Sequence, residues 1–118
     1  MTFDAFHEFA MSLPGATEMV QWGADLLFKV GDKAFIFTGF NPPYPITFKA
    51  SDDEFAELIE REGFSVAAYV GRFKWVSIDR LDRVGDKEMR RLVEKSYSLI
   101  RGKLPKKLQS SLPPYEPT

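Results

Sequence analysis

The segment Leu26-Leu27-Phe28-Lys29-Val30-Gly31-Asp32-Lys33-Ala34-Phe35-Ile36-Phe37 constrains the fold more than any other part of the chain. Two apolar runs flank a two-residue loop, and glycine in its first position supplies the positive φ that a type II′ hairpin turn demands. Such a turn sets the pairing of the strands on either side. Val30 is expected opposite Lys33, Lys29 opposite Ala34, Phe28 opposite Phe35, Leu27 opposite Ile36 and Leu26 opposite Phe37. Because side chains alternate across a strand, Phe28, Phe35, Leu26 and Phe37 then share the core face, while Lys29, Ala34, Leu27 and Ile36 share the other.

Elements on both sides of this hairpin follow from the same kind of reasoning. Thr2 can cap a first helix whose apolar positions Phe3, Phe6, Ala10 and Leu13 follow helical spacing, with Phe9 broadening the stripe and Pro14-Gly15 ending it. Residues 16–24 read as irregular or as a short strand. The prolines within residues 39–45 forbid a central strand and mark a loop. Ile46-Thr47-Phe48-Lys49 alternates as a third strand, and Ser51-Asp52-Asp53-Glu54 forms a capping box for a helix with Phe55, Leu58 and Ile59 inward. Gly63 suits the left-handed residue that closes that helix. Residues 66–71 lead into a last strand at 74–78, where Val76 and Ile78 toward the core would turn Trp75 and Ser77 away. Asp86 is expected to cap a third helix with Met89, Leu92, Val93, Tyr97 and Ile100 inward and its end at Gly102, and Pro105 to start a short further turn or two. This order predicts an α+β fold, an antiparallel sheet of about four to five strands with helices packed on one face. It forms a single domain over residues 1–112, followed by a flexible Pro-rich tail over 113–118.

Composition narrows the chemistry. With no cysteine among 118 residues, disulfides, thiolate zinc sites, iron–sulfur clusters and cysteine nucleophiles are excluded, in keeping with a reducing compartment. Acidic residues near the start, where a signal peptide would carry basic ones, and the lack of a long apolar run point to a soluble cytoplasmic protein without membrane contact. The net charge of −1 hides an asymmetry: residues 1–71 hold four basic side chains against eleven acidic ones, residues 72–107 twelve against five. Either the second half presents a surface to a polyanion, or the two halves neutralise each other on packing.

No catalytic set is visible. His7 is the sole histidine, too little for a zinc site, and no Gly-x-Ser-x-Gly elbow would present a serine to it. Asp52, Asp53 and Glu54 lie in the first turn of a helix, where the dipole favours carboxylates, and Gly31-Asp32-Lys33 lacks the remainder of a phosphate loop. The expectation is therefore no enzyme, no cofactor and no metal. Two surfaces remain. On the non-core sheet face, Leu27, Lys29, Ile36, Thr47, Lys49, Trp75 and Ser77 combine cations with a large ring, as single-strand binding faces do. Around the last helices, Arg101, Lys103, Lys106 and Lys107 cluster, with Lys87, Arg91 and Lys95 as a looser extension.

Leu13-Pro14-Gly15-Ala16-Thr17-Glu18, the hairpin around Gly31, residues 69–78 with Trp75-Val76-Ser77-Ile78, Ser96-Tyr97 and Lys103-Leu104-Pro105-Lys106-Lys107 occur in the order seen in the MmcQ/YjbR family of small bacterial proteins, which the chain resembles over nearly its whole length. That resemblance implies a CyaY-like fold and a DNA-binding role through two projecting hairpin wings. One wing would be the Gly31-Asp32 turn with Lys29 and Lys33. The other would be residues 70–74, with Arg72 and Lys74. Family members commonly have a histidine before the tryptophan where this chain has Lys74, so positive charge is kept and an imidazole is lost. The nucleic-acid contacts expected are Lys29, Lys33, Arg72, Lys74, Trp75, Lys103, Lys106 and Lys107, in a non-enzymatic, monomeric protein whose partner is DNA. The alternative is a module that binds a protein or small ligand on the open sheet face or beside Pro42-Pro43-Tyr44-Pro45.

Overall fold

Local chemistry starts the first two helices as these readings require, but the second ends at Leu58, before the Gly63 expected to close it, and the third starts differently. In the computed structural model, which describes residues 1–21, 25–67 and 73–116, α1 (Phe3–Ser12) is capped by the Thr2 hydroxyl, which accepts from the Ala5 N–H at 3.1 Å. Helix α2 (Asp52–Leu58) is capped by Ser51, which accepts from Glu54 N–H at 3.3 Å. Only half of the expected capping box forms, since the Glu54 carboxylate is drawn instead to Arg91 at 2.9 Å. Asp86 does not cap α3 (Asp86–Gly102) either. Gly85 stands at the cap with no side chain to offer, and the Asp86 carboxylate lies 2.8 Å from the Met1 α-amino group, which holds its pKa below the usual carboxylate range. A short α4 (Lys106–Ser111) follows Pro105.

Six strands form one antiparallel sheet, one more than the upper expectation: β1 (Ala16–Gln21), β2 (Asp25–Val30), β3 (Lys33–Gly39), β4 (Ile46–Lys49), β5 (Phe64–Val66) and β6 (Trp75–Ile78), in the order β1-β2-β3-β4-β6-β5. The added strand is β5, an edge strand of three residues paired on one side only with β6, too short to show an apolar alternation. Helices α1 and α3 pack on one face of this sheet. The resulting core joins Phe6, Phe28, Phe35, Phe48, Ile78 and Tyr97, with the Phe35 and Tyr97 rings edge to face at 5.3 Å.

The β2–β3 hairpin turns where expected, with Gly31 at φ 62°. A Cβ on Gly31 would meet a Leu104 methyl at 2.9 Å, so glycine here serves both the turn and its close packing on the end of α3. Val30 pairs with Lys33 and Lys29 with Ala34, but Phe28 then pairs with Ile36, Leu27 with Phe37 and Leu26 with Thr38. Phe35 is the extra residue of a β-bulge, opposed by nothing of its own. The expected register is therefore corrected beyond Lys29. Ile36, expected on the outer face, is fully buried against the helices, and Phe37, expected in the core, lies half-buried on the outer face. There its ring meets Trp75 edge to face at 5.5 Å.

The bulge turns a backbone carbonyl out of the ladder, and a buried carbonyl needs a donor. Ser96 of α3 supplies it. Its hydroxyl donates to the Phe35 carbonyl at 2.6 Å and accepts from the Lys49 N–H at 2.9 Å, and the residue is fully buried. Phe35 and Lys49 are the next positions in the β3–β4 register after Ile36 and Phe48, so the hydroxyl stands between two groups that would otherwise pair directly. Beside it, Tyr97 donates to the Pro14 carbonyl at 2.6 Å and accepts from Arg101 at 2.8 Å. From Arg101 the contacts continue to the end of the chain. The Arg101 guanidinium reaches the Pro113 carbonyl at 2.7 Å and the Tyr115 ring packs at 4.7 Å on that of Tyr97, so this part of the expected tail lies along α3.

Ser96→Ala should destabilise the fold by about 2–4 kcal/mol, because it leaves two buried backbone groups without partners at roughly 1–3 kcal/mol each. Equilibrium urea unfolding measures this; a loss of less than about 0.5 kcal/mol, the scale of an ordinary surface substitution, would contradict the role given to Ser96.

Candidate functional site

Among the described residues the ion pairs divide the cations by type. Arg61 pairs with Glu88 at 2.7 Å, Arg80 with Asp82 at 2.8 Å, Arg83 with Asp79 at 2.7 Å and Arg91 with Glu54 at 2.9 Å. Arg61 holds the Glu88 carboxyl below its usual range, mainly through their hydrogen bond. Two of these pairs, Arg61–Glu88 and Arg91–Glu54, join the two halves of the chain, and of the two only Arg91–Glu54 sets a base of the basic half against an acid of the acidic half. No lysine takes part in any ion pair among the described residues. Arg90 and Arg101 form no ion pair among them either: Arg90 lies over the Phe9 ring, and Arg101 bonds the Tyr97 hydroxyl and the Pro113 carbonyl.

The topology gathers much of the lysine charge at one end of the sheet. Lys29 and Lys33 flank the β2–β3 turn, paired across the strands with Ala34 and Val30. Lys49 ends β4 opposite Trp75, and Lys74 immediately precedes β6, its carbonyl accepting from the Ala50 N–H at 2.8 Å. Lys103 caps the C-terminus of α3 next to Leu104, the residue on which the hairpin turn packs, and Lys106 and Lys107 open α4 just beyond. Carboxylates also stand at this end, Asp32 in the turn and Asp52 and Asp53 at the start of α2.

Lys49 was placed on the sheet face by sequence but not expected as a site residue, and it proves the most unusual of the group. It is only 7% exposed, and its ammonium donates to the Phe73 carbonyl. Burial lowers its pKa, the neighbouring Lys103 and Lys74 ammoniums lower it further, and Asp52 opposes them. Lys74 adopts φ 66°, a left-handed conformation that costs a residue with a Cβ about 1–2 kcal/mol, and its ammonium sits 5.0 Å from the Phe55 ring centroid.

Other expectations fare differently. Trp75 is 9% exposed and packed on Phe37, so it offers no open ring for a base to stack on. Arg72 and the first residues of the second wing lie outside the described residues, leaving Phe73, half exposed, and Lys74. His7 reaches Glu18 of β1 at 2.5 Å. Beside the Pro42-Pro43 loop a cleft of about 240 Å³ is lined by Phe3, Tyr44 and the Arg80–Asp82 pair, with the Phe3 and Tyr44 rings stacked at 4.6 Å. No helix among the described residues is long and apolar enough to cross a membrane.

Comparison with known proteins agrees with this architecture. A family model described as YjbR matches residues 11–99. A Deinococcus radiodurans protein with a DUF419 domain superposes with a TM-score of 0.82 at 22% identity, over 92% of this chain and 86% of that one. A Pseudomonas syringae protein superposes with a TM-score of 0.69 at 20% identity, over 84% of this chain and 98% of that one. At these identities the likeness is one of fold. No curated protein matches significantly.

The lowered Lys49 pKa has a signed consequence for stability. Between that value and its ordinary 10.5, the unfolded chain binds more protons at this residue than the folded one, so Lys49 makes stability rise with pH across that window. Urea unfolding from near-neutral pH upward should therefore show wild type gaining on Lys49→Met as pH rises. A difference between the two that stays constant with pH would contradict the assignment.

Proposed function

The chain belongs to the YjbR family, and from that premise we propose that it is a small, non-enzymatic cytoplasmic protein that binds DNA through the lysines at the hairpin end of its sheet. The observation that supports this reading is that Arg61, Arg80, Arg83 and Arg91 pair with carboxylates, while Lys29, Lys33, Lys74, Lys103, Lys106 and Lys107 have no such partner among the described residues. Lysine is a compact, strongly hydrated point charge on a flexible stem, suited to meeting phosphates whose positions vary. Phosphate contacts fix a protein on nucleic acid without reading sequence.

With Trp75 packed away, base stacking has no part in the proposed mode, and the hairpin tip and Lys74 act as positive projections toward the backbone. Discrimination between sequences is accordingly expected to be slight. The affinity is electrostatic in origin, from release of counterions as each lysine meets a phosphate.

Fluorescence anisotropy of a labelled duplex over a series of salt concentrations tests this directly. Log affinity should fall linearly with log salt, by about 0.9 for each phosphate contacted. Replacing Lys29, Lys33, Lys74 and Lys103 together with glutamine should abolish most of the affinity and flatten the slope by about four. Binding and slope unchanged in that variant would overturn the residue assignment. Retention of a partner at high salt would instead favour a protein or small-ligand site on the outer face, where Met19 and Phe73 expose 42% and 50% of their surface.

A further inference from the structure

The exposed side of α3 carries a second group of cations, away from the hairpin end. Lys87, Arg91 and Lys95 follow one another four residues apart, so each stands about 6 Å further along one side of the helix, and Arg90, Glu94 and Ser98 form the row beside them. Both rows line one cavity of about 390 Å³, which Glu54 of α2 and Tyr115 complete. Four positive groups thus meet two negative ones. Arg91 is held by Glu54 at 2.9 Å and reaches Glu88 at 3.9 Å, whereas Lys87, Arg90 and Lys95 enter no ion pair among the described residues. The Glu94 carboxylate accepts from the Tyr115 hydroxyl at 3.1 Å. Tyr115 itself is held in place, its ring 4.7 Å from that of Tyr97 and 5.8 Å from the Arg101 guanidinium, which also bonds the Pro113 carbonyl.

We infer that this cavity binds a small phosphomonoester that also carries hydroxyl or N–H groups, of the size of a nucleoside monophosphate or a sugar phosphate. Its volume falls in the range of small-molecule sites, roughly 300–1,000 Å³. The lining is polarised along the helix. Lys87, Arg90 and Arg91 lie within one turn and make one end positive, where a phosphate dianion accepts charge-assisted hydrogen bonds from them. Lys95 stands one turn further on. Beyond it, Glu94, Ser98 and Tyr115 offer a carboxylate acceptor, a hydroxyl and an aromatic ring to the remainder of the molecule. A uniform polyanion suits this lining poorly, because Glu54 and Glu94 stand among the cations and like charges set together are costly. The site shares no residue with the lysines proposed to meet DNA, so either reading can fail without the other.

The experiment is a titration of the full chain with adenosine monophosphate and with glucose 6-phosphate, at ionic strength held constant with sodium chloride, followed by calorimetry and by amide NMR. Saturable binding of at least one compound is expected, with loss of binding when adenosine or glucose replaces it, and with the NMR shifts centred on residues 87–98 and Tyr115. Lys87→Gln changes an exposed side chain and should weaken binding by about tenfold or more. Its urea midpoint should stay at the wild-type value, which separates a lost contact from a lost fold. Tighter binding of the nucleotide assigns the Tyr115 end to a base, and equal or tighter binding of the sugar phosphate assigns it to a sugar; both uphold the site. No saturable binding of either compound, shifts centred on the hairpin turn, or undiminished binding by Lys87→Gln would overturn the inference.

Discussion

Ser96 contributes one hydroxyl group, and three elements meet at it. The bulge at Phe35 lets β3 turn both Phe35 and Ile36 toward the helices, and it leaves a carbonyl pointing at α3 instead of across the ladder. By donating to that carbonyl and accepting from the Lys49 amide, Ser96 ties the bulge to the last residue of β4 and both to the middle of α3. A buried hydrogen bond of this kind contributes about 1 kcal/mol net, but the cost of leaving its partners unpaired is larger, so the arrangement is strongly specified. Lys49 follows from it. Its backbone N–H is fixed on α3, and its ammonium reaches the Phe73 carbonyl.

Ion pairing among the described residues takes up four arginines and no lysine. Arginine presents a planar fork that meets a carboxylate through two parallel bonds, and Arg61–Glu88, Arg80–Asp82 and Arg83–Asp79 all use it. These pairs are exposed or half-buried, so each contributes little on its own, but they draw the carboxylates of both halves of the chain away from the hairpin end. The near-neutral net charge thus conceals a division of charge along the sequence, acidic up to residue 71 and basic over 72–107.

Much of the architecture was legible because it rests on local signals. Thr2, Ser51 and Gly31 each act through their own local geometry, and the stripe Met89, Leu92, Val93, Tyr97, Ile100 follows the helical period, whereas α2 ends at Leu58, before the Gly63 read as closing it. Continuous apolar runs have no such signal. Ala34-Phe35-Ile36-Phe37 reads equally well in either register, and only the fit of both Phe35 and Ile36 under α3 selects the bulge. Edge strand β1 was ambiguous because pairing on one side alone does not demand an apolar face. Ser96 left a trace, a polar residue three after Val93 and four before Ile100 on the buried stripe, where a hydroxyl needs partners. Its pairing with the Lys49 amide left none, since residues 47 apart are brought together only by the β4–α3 contact.

The central claim is that the unpaired lysines at the hairpin end form one surface for a polyanion. Lysine acetylation mapped by mass spectrometry, with and without a short DNA duplex, tests it residue by residue. The account requires Lys29, Lys33, Lys74 and Lys103 to be protected by the duplex while Lys87, at the far end of α3, reacts as before. Protection spread evenly over all lysines, or confined to Lys87, would contradict it.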